Sequence, residues 1–265
     1  MASDEVQAHY ARDEERDRLG SGVGLAEFVR TVEIVQRTLP APGATVADIG
    51  GGPGRYTDWL VDAGYRVIHR DLVPLHVGQV RARHGSRVDS AVGDARSLDL
   101  GDASVDVVLL LGPLYHLEAR VDRLGALREA SRVLRPGGLV HAAAISRWAP
   151  RLHGGLVDRM QVSYPEFPAL VDEVERTGVI PPLYDGAFTG YTHRPTELAD
   201  EIRDAGLALE SLVSIEGVAF AFSDIAERMD NPDERAVLLD ALRALEAVPE
   251  LLGVGPHFLA TARNP

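Results

Sequence analysis

The amino-acid sequence predicts a doubly wound α/β protein, in which a mostly parallel sheet of seven strands carries helices on both faces. Short apolar runs alternate with stretches of helical periodicity along the first 145 residues. The run 105–111 is too continuous for a half-exposed strand and is typical of the central strand of a parallel sheet. A glycine-rich turn follows the first apolar run, at the end of the strand where such sheets bind ligands.

The elements follow in chain order from these patterns. Residues 1–20 are polar and predict a solvated N-terminal helix, and apolar residues at helical spacing over 25–39 predict a second helix that Pro40 ends. The predicted strands are 45–49, 66–70, 87–92, 105–111, 139–145, 208–215 and 257–262, of which the last is antiparallel. The predicted helices of the sheet are 55–63, 74–83, 121–134 and 196–205, with a helical insertion at 223–248.

The glycine-rich turn lies in the segment Val-Ala-Asp-Ile-Gly-Gly-Gly-Pro-Gly-Arg-Tyr, which covers residues 46–56. Only glycine lets a backbone fold back so closely and leave room for a ligand. The spacing does not fit a dinucleotide fingerprint, because the third glycine of that pattern would stand at the position of Arg55. The pattern is G-x-G-x-G instead, and a purely structural turn is the alternative.

Two acidic residues stand where predicted strands end. Asp71 lies 21 residues beyond Gly50, near the interval at which nucleotide-binding α/β proteins hold ribose hydroxyls. A carboxylate suits that role because it accepts hydrogen bonds from two neighbouring hydroxyls, although Asp71 could instead cap the following helix. Asp94 follows the third strand, in position to accept a hydrogen bond from an adenine amino group.

Composition restricts the class of protein. Of the 265 residues, 45% are hydrophobic and 25% charged, the balance of a globular protein with a sizeable core. No membrane partner is expected, because no apolar stretch is long enough to span one and residues 1–5 are no signal peptide. The formal net charge of -13, without a Lys/Arg-dense patch, argues against a nucleic-acid partner. Cysteine is absent, which is compatible with the cytoplasmic location that we expect.

Five segments of the chain resemble a class I S-adenosylmethionine-dependent methyltransferase, of the kind that methylates small molecules on carbon, oxygen or nitrogen. The segments are VADIGGGPG, HRDL, VGDARSLDL, VDVVLLLGPLYHL and EASRVLRPGG, all within residues 44–145. The resemblance implies the Rossmann-like methyltransferase fold, S-adenosylmethionine as the cofactor and a small-molecule acceptor.

The resemblance also implies roles for individual residues. Gly50 and Gly52 would line the methionyl moiety of the cofactor, Asp71 would bind its ribose, and Leu72 would pack on its adenine. An N-terminal helix in such proteins often closes over the cofactor. Further implied cofactor contacts are Tyr10, Asp48, Asp94, Ala95 and Leu111, of which Asp94 and Ala95 would read the adenine edge and Leu111 would lie beside the transferred methyl.

Residues 146–195 break the α/β alternation. They hold six of the chain's fifteen aromatic residues and predict two short helices, near 151–161 and 165–177, followed by a proline-broken loop. The segment leaves the sheet at the edge where the methyl would lie, so we expect it to cap the acceptor, with a satellite core or a homodimer contact as the alternative. The predicted organisation is 1–43 for N-terminal helices over the cofactor, 44–145 for the cofactor-binding core, 146–195 for the cap and 196–265 for the rest of the core.

His116 is the leading candidate for a catalytic residue. It ends the segment Gly-Pro-Leu-Tyr-His after the fourth strand, where the fold presents groups to the methyl. Methyl transfer requires an oriented nucleophile, and a hydroxyl or protonated amine also needs a base, for which histidine is the usual residue. A histidine that only packs against the cofactor is the alternative. The residues expected to contact the acceptor are Tyr115, Trp148, Tyr191 and His193, with a structural role as the alternative for His193.

Other chemistries have less support in the sequence. The histidines show no metal-ligand spacing, so no metal is expected, and no G-x-S-x-G segment indicates a serine hydrolase. The predicted function is therefore in-line transfer of a methyl group from S-adenosylmethionine to a small molecule. A methyltransferase acting on RNA or protein, and a non-catalytic binding protein of the same fold, are the alternatives.

Overall fold

The computed structural model describes residues 19–184 and 187–265, and in this part of the chain it contains nine strands and nine α-helices. Tyr10 and nearly all of the predicted N-terminal helix lie outside the described residues. The strands are β1 Thr45–Ile49, β2 Arg66–Asp71, β3 Val88–Val92, β4 Val105–Leu110, β5 Leu134–Ser146, β6 Val179–Ile180, β7 Gly190–His193, β8 Ala208–Ser214 and β9 His257–Arg263. The helices are α1 Gly22–Gln36, α2 Arg55–Asp62, α3 Pro74–His84, α4 Pro113–His116, α5 Arg120–Val133, α6 Phe167–Thr177, α7 Pro195–Asp204, α8 Ile225–Asp230 and α9 Pro232–Leu245.

The strands form one mostly parallel sheet. Strands β3, β2, β1, β4 and β5 lie side by side and parallel, followed by antiparallel β9 and then by β8. All seven predicted strands are present, and the predicted fold class is confirmed. In addition, the last two residues of β5 pair with β7, and β7 pairs with β6.

Residues 181–184 and 187–189, within the predicted proline-broken loop, have no regular secondary structure, but the short strands β6 and β7 on either side of them were not predicted. β6 has two residues and β7 four, so neither is long enough to show a strand pattern in the sequence. Residues 146–195 are called the insertion from here on. Its first predicted helix also differs from the structure, in which Pro150–Val157 form a π-helical segment and Met160–Val162 a 3₁₀ turn. The second predicted helix is present as α6.

Helices cover both faces of the sheet, as the alternation along β4 shows. Val107 and Leu109 belong to a core cluster that includes residues of α1, α2 and α3. Val108 and Leu110 belong to a second cluster with residues of α5 and α7. Because neighbouring side chains of a strand point to opposite faces, the two clusters lie on opposite sides of the sheet.

The strand β5 begins earlier than predicted, at Leu134, directly after α5. The predicted turn at 135–138 is a local irregularity inside this strand, since Val105 pairs with Leu134 and Val107 already pairs with Leu139. Gly137 has a φ of 79°, which lets the chain take up the extra residues.

No helix of the described chain is both long and apolar enough to cross a membrane.

Candidate active site

A cavity of about 1130 Å³, including its open mouth, lies at the carboxyl ends of β1, β2 and β4. Loops at these strand ends supply its walls, as expected for ligand sites in parallel α/β sheets. Ten of the predicted site residues line it: Asp48, Gly50, Gly52, Asp71, Leu72, Asp94, Ala95, Leu111, Tyr115 and His116. The structure therefore brings together residues that lie up to 68 positions apart in the sequence.

Residues 50–54, the glycine turn, form the floor of this cavity between β1 and α2. A Cβ atom on Gly50 would lie 2.6 Å from the ring of Pro113, so no larger residue fits there. Gly52 has a φ of 56°, and a Cβ atom placed on it would meet no described atom within 4 Å. The buried ring of His69 supports the turn, with Nε2 3.0 Å from the Gly52 carbonyl oxygen. The turn thus keeps an open space above Gly52 in which a ligand can lie against the backbone.

Asp71, the last residue of β2, is held by three hydrogen bonds. Its Oδ2 accepts from the backbone N–H of Gly52 at 2.8 Å, and its Oδ1 accepts from the N–H of Val73 at 2.8 Å and Nδ1 of His76 at 3.1 Å. Burial alone would raise the pKa of Asp71, but these hydrogen bonds outweigh it and lower the pKa. Asp71 therefore supports the start of α3 and also presents an ionised, oriented carboxylate to the cavity.

Asp94 has a partner that the sequence analysis did not single out. Its Oδ2 lies 2.7 Å from Nη2 of Arg96, and its Oδ1 accepts from the backbone N–H of the same arginine. The hydrogen bonds from Arg96 lower the pKa of Asp94. Arg96 also reaches Asp122, 3.4 Å away. The interval of two residues between Asp94 and Arg96 is the signal that could have predicted this pair.

Asp48 lies beneath the glycine turn and is buried. Its Oδ2 accepts a hydrogen bond of 2.7 Å from the hydroxyl of Thr57 in α2. A Cβ atom on Gly51 would lie 2.6 Å from the same oxygen, which explains why the second residue of the turn is also a glycine. Burial raises the pKa of Asp48. Asp48 fixes the turn to α2 as well as lining the cavity.

An aromatic wall bounds the cavity beyond β4. It consists of Tyr115 and His116 of α4, whose ring centroids lie 4.9 Å apart, together with Phe188 of the insertion. The ring of Phe188 lies 5.3 Å from that of His116, edge to face, and 6.4 Å from that of Tyr115. Nδ1 of His116 is buried. Phe188 thus packs against the two rings that line the cavity, and through it residues 146–195 contact these rings from outside the cavity.

Among the described residues, the structure does not bring Trp148, Tyr191 and His193 to this cavity. Trp148 lines a separate groove together with Arg151 and Glu250. The ring of Tyr191 lies 3.6 Å from the guanidinium carbon of Arg123, and the fully buried His193 has Nε2 3.2 Å from Oε2 of Glu201. Burial lowers the pKa of His193. This placement favours the structural alternative for His193, and a contact of the three residues with the acceptor stays a prediction.

Known proteins resemble the chain most clearly in its cofactor-binding core. A family described as "Methyltransferase domain" matches residues 47–142. A probable S-adenosylmethionine-dependent methyltransferase of Mycolicibacterium smegmatis is 40% identical over 121 residues, which are 44% of this chain and 46% of that protein. An uncharacterized methyltransferase of Mycobacterium tuberculosis is 38% identical over 122 residues, 45% of this chain and 48% of that protein. The chain spans about half the length of the curated relatives it matches.

The fold also resembles solved structures over its whole length. One chain of the complex between the Haloferax volcanii Trm112 methyltransferase activator and a putative methyltransferase has a TM-score of 0.61 and 23% identity. The match covers 100% of this chain and 98% of that one. At this identity the likeness concerns the fold alone. The domain match identifies residues 47–142 as a methyltransferase domain, and the relatives that match this part of the chain indicate S-adenosylmethionine as its cofactor.

The residues at the cavity fit this cofactor. The open space above Gly52 admits a ligand against the backbone, and Oδ2 of the oriented Asp71 carboxylate can accept from a ribose hydroxyl. Half-buried Leu72 and buried Ala95 offer apolar surface to an adenine ring, beside the carboxylate of Asp94. Arg55, at the position where a dinucleotide fingerprint has its third glycine, also lines the cavity.

Proposed function

We propose that this chain transfers a methyl group from S-adenosylmethionine to a small-molecule acceptor. The observation that carries the proposal is a single cavity that joins the glycine turn, Asp71 and Asp94 to the aromatic wall at His116. The glycine turn, Asp71 and Asp94 suit a nucleoside with a methionyl tail. The aromatic wall suits a planar acceptor. Both lie at the edge of the sheet where parallel α/β proteins bind ligands.

On the cofactor side, we assign each polar group a contact. Asp71 would accept a hydrogen bond from a ribose hydroxyl at Oδ2, which has a lone pair beyond the one used by Gly52, whereas Val73 and His76 already occupy Oδ1. Asp94 would accept from the adenine amino group while Arg96 holds it in place. The lowered pKa values of both carboxyls keep them ionised at neutral pH, which strengthens these hydrogen bonds.

On the acceptor side, the aromatic wall supports a flat or apolar small molecule. Tyr115 and His116 line the cavity and offer ring faces and edges, with Phe188 packed against both, and such surfaces bind planar ligands and exclude water. Phe188 supports the proposal that residues 146–195 act as a cap on the acceptor, with residues 1–43 covering the cofactor. A homodimer through the insertion stays a prediction.

S-adenosylmethionine supplies a methyl group that its sulfonium already activates for displacement. The chain's own residues hold the acceptor in line, which is catalysis by proximity and orientation. An acceptor that must lose a proton would pass it to Nε2 of His116, because Nδ1 of this ring is buried. The pairing of an oriented acceptor with a nearby base is the arrangement that methylation of a hydroxyl or an amine requires.

Thermal melting with two ligands tests the cofactor part of the proposal. A ligand that binds only the native state at 100 times its Kd raises the free energy of unfolding by about 2.7 kcal/mol. We expect this stabilisation with S-adenosylhomocysteine and none with NAD. A shift with NAD alone would contradict the proposed cofactor site.

Transfer from methyl-labelled S-adenosylmethionine to a panel of small planar hydroxyl and amine compounds tests the activity. We expect at least one compound to acquire the label with the wild-type chain. Binding of S-adenosylhomocysteine without transfer to any compound, and with transfer to RNA or protein, would support the macromolecular alternative. Binding without any transfer would support the non-catalytic one.

A further inference from the structure

A buried charged network lies next to α4, outside the cavity. Arg123 of α5 and Glu201 of α7 are each only 2% exposed. Nε and Nη2 of Arg123 donate to Oε1 of Glu201 at 3.0 and 2.8 Å, and the other oxygen of Glu201 lies 3.2 Å from Nε2 of His193. The ring of Tyr191 covers the guanidinium group. Burying such a pair contributes little net stability compared with apolar residues of the same volume, so stability alone does not explain it.

The same arginine holds the end of the helix that presents the candidate catalytic residue. Nη1 of Arg123 donates to the carbonyl oxygens of Leu117 at 2.9 Å and Glu118 at 2.7 Å. These two residues follow α4 directly. A guanidinium is planar and its donors point in fixed directions, so an Arg123 fixed by Glu201 also fixes the chain at both carbonyls.

Strand β7 supports α4 from a second direction. A Cβ atom on Gly190 would lie 2.2 Å from the carbonyl oxygen of Tyr115, so the two backbones are in direct contact. Gly190 precedes Tyr191, the residue that covers Arg123. The strand therefore touches both α4 and the arginine that holds it.

We propose that Arg123, fixed by Glu201, is a positioning residue that sets the orientation of Tyr115 and His116 toward the acceptor. The proposal rests on the proposed function, because it assigns the network a role in holding the acceptor wall. Arg123 acts through the two carbonyls and touches neither reactant. This role explains why a charged pair is kept inside the protein at a position where apolar residues would fit.

The double variant Arg123→Met/Glu201→Met tests this role without leaving a buried charge unpaired. It keeps apolar volume but removes the donor from the carbonyls of Leu117 and Glu118. We expect the ring ¹⁵N resonances of His116 to shift or broaden in the S-adenosylhomocysteine complex, while those of the distant His84 stay unchanged. We expect affinity for S-adenosylhomocysteine to stay within about twofold, because the cofactor contacts are untouched, and methyl transfer to fall about 100-fold.

The matched control is Arg203→Met/Asp200→Met, an ion pair on the exposed surface of α7 that does not involve Arg123 or Glu201. It should change neither the resonances nor transfer. If the buried double variant does not fold, Arg123→Lys is the substitute, because it keeps the charge opposite Glu201 but lacks the planar guanidinium with its several donors. It should show the same change in the ring ¹⁵N resonances of His116.

Unchanged His116 resonances and wild-type transfer in the folded variant would overturn the positioning role. That result leaves the proposed function standing. Conversely, a wild-type chain that transfers no methyl group would end the proposed function, while the His116 resonances would still show whether Arg123 positions the ring.

Discussion

The two halves of the candidate site are built in different ways. In the cofactor half, formed by the glycine turn, Asp71 and Asp94, most polar contacts are local: Asp94 is held by a residue two positions away, and Asp71 by residues two and five positions away. In the acceptor half, formed by Tyr115, His116 and Phe188, the support depends on distant pairs: Gly190 contacts the backbone of Tyr115, and Arg123, which holds the chain at Leu117 and Glu118, is itself held by Glu201, 78 positions away. A short sequence motif can therefore specify the cofactor half, whereas the acceptor half depends on how the insertion packs.

The largest expected effect separates the halves at His116. His116→Phe keeps a ring in the aromatic wall but removes the proton acceptor, so methyl transfer should fall by about 100-fold or more. Affinity for S-adenosylhomocysteine, measured by calorimetry, should stay within about twofold. The control is His153→Phe, since His153 contacts Phe220 and does not line the cavity. Wild-type turnover at saturating acceptor would show that His116 only packs in the wall.

A second prediction concerns stability and is independent of both halves. His141 lies fully buried in β5, and burial lowers its pKa from 6.5 to about 4. Between these two pH values the imidazole of His141 is therefore protonated in the unfolded chain and neutral in the native chain. The contribution of His141 to the free energy of unfolding is complete above pH 6.5 and is lost as the pH falls toward 4. Its total is about 3 kcal/mol, at 1.36 kcal/mol per unit of pKa shift.

Urea denaturation at pH 7 and pH 4.5 measures this loss. Wild type should lose more free energy of unfolding between the two pH values than His141→Leu, in which no imidazole titrates. Equal losses in the two chains would show that His141 is not the group that couples protonation to unfolding.

The third prediction tests the cofactor half at its central carboxylate. Asp71→Asn removes a charge-assisted hydrogen bond to ribose, so affinity for S-adenosylhomocysteine should fall by about 1.5–3 kcal/mol, or roughly 10- to 150-fold. It should also lower stability, because Gly52, Val73 and His76 lose a charged partner. Asp89→Asn, at an exposed carboxylate on the neighbouring strand, is the control. Unchanged affinity in calorimetry would remove Asp71 from the site.

The smallest expected effect lies in the insertion, at Trp148. Because this residue lines a separate groove, Trp148→Ala should change both the acceptor KM and the cofactor affinity by less than about twofold, within what an exposed substitution does. Steady-state kinetics with the acceptor that the transfer assay identifies would measure the KM, and calorimetry with S-adenosylhomocysteine would measure the cofactor affinity. A raised KM with normal cofactor affinity would extend the acceptor half to this groove.

The difference between the halves also explains what could be predicted from the sequence. Strand β1 has the predicted bounds, and every described cofactor residue that was predicted lines the cavity, because each stands at a strand end marked by a local pattern. His76 and Arg96 were missed although they lie within five residues of Asp71 and Asp94. Attention to short-range partners of each carboxylate would have indicated them.

The acceptor half could be predicted only in part. Tyr115 and His116 follow a recognisable strand, but their support comes from Gly190 and Arg123, whose roles depend on a close approach and on a pair 78 positions apart. Tyr191 and His193 have the composition of a binding segment, yet β7 turns them toward a buried network. No sequence pattern separates a ring that lines a cavity from a ring that covers a buried arginine.

Calorimetry of S-adenosylhomocysteine on three chains tests the central claim, that one cavity has separable cofactor and acceptor halves. Wild type should bind, Asp71→Asn should bind at least about tenfold more weakly, and His116→Phe should bind within about twofold of wild type. Equal weakening by both substitutions, or by neither, would contradict this division of the site.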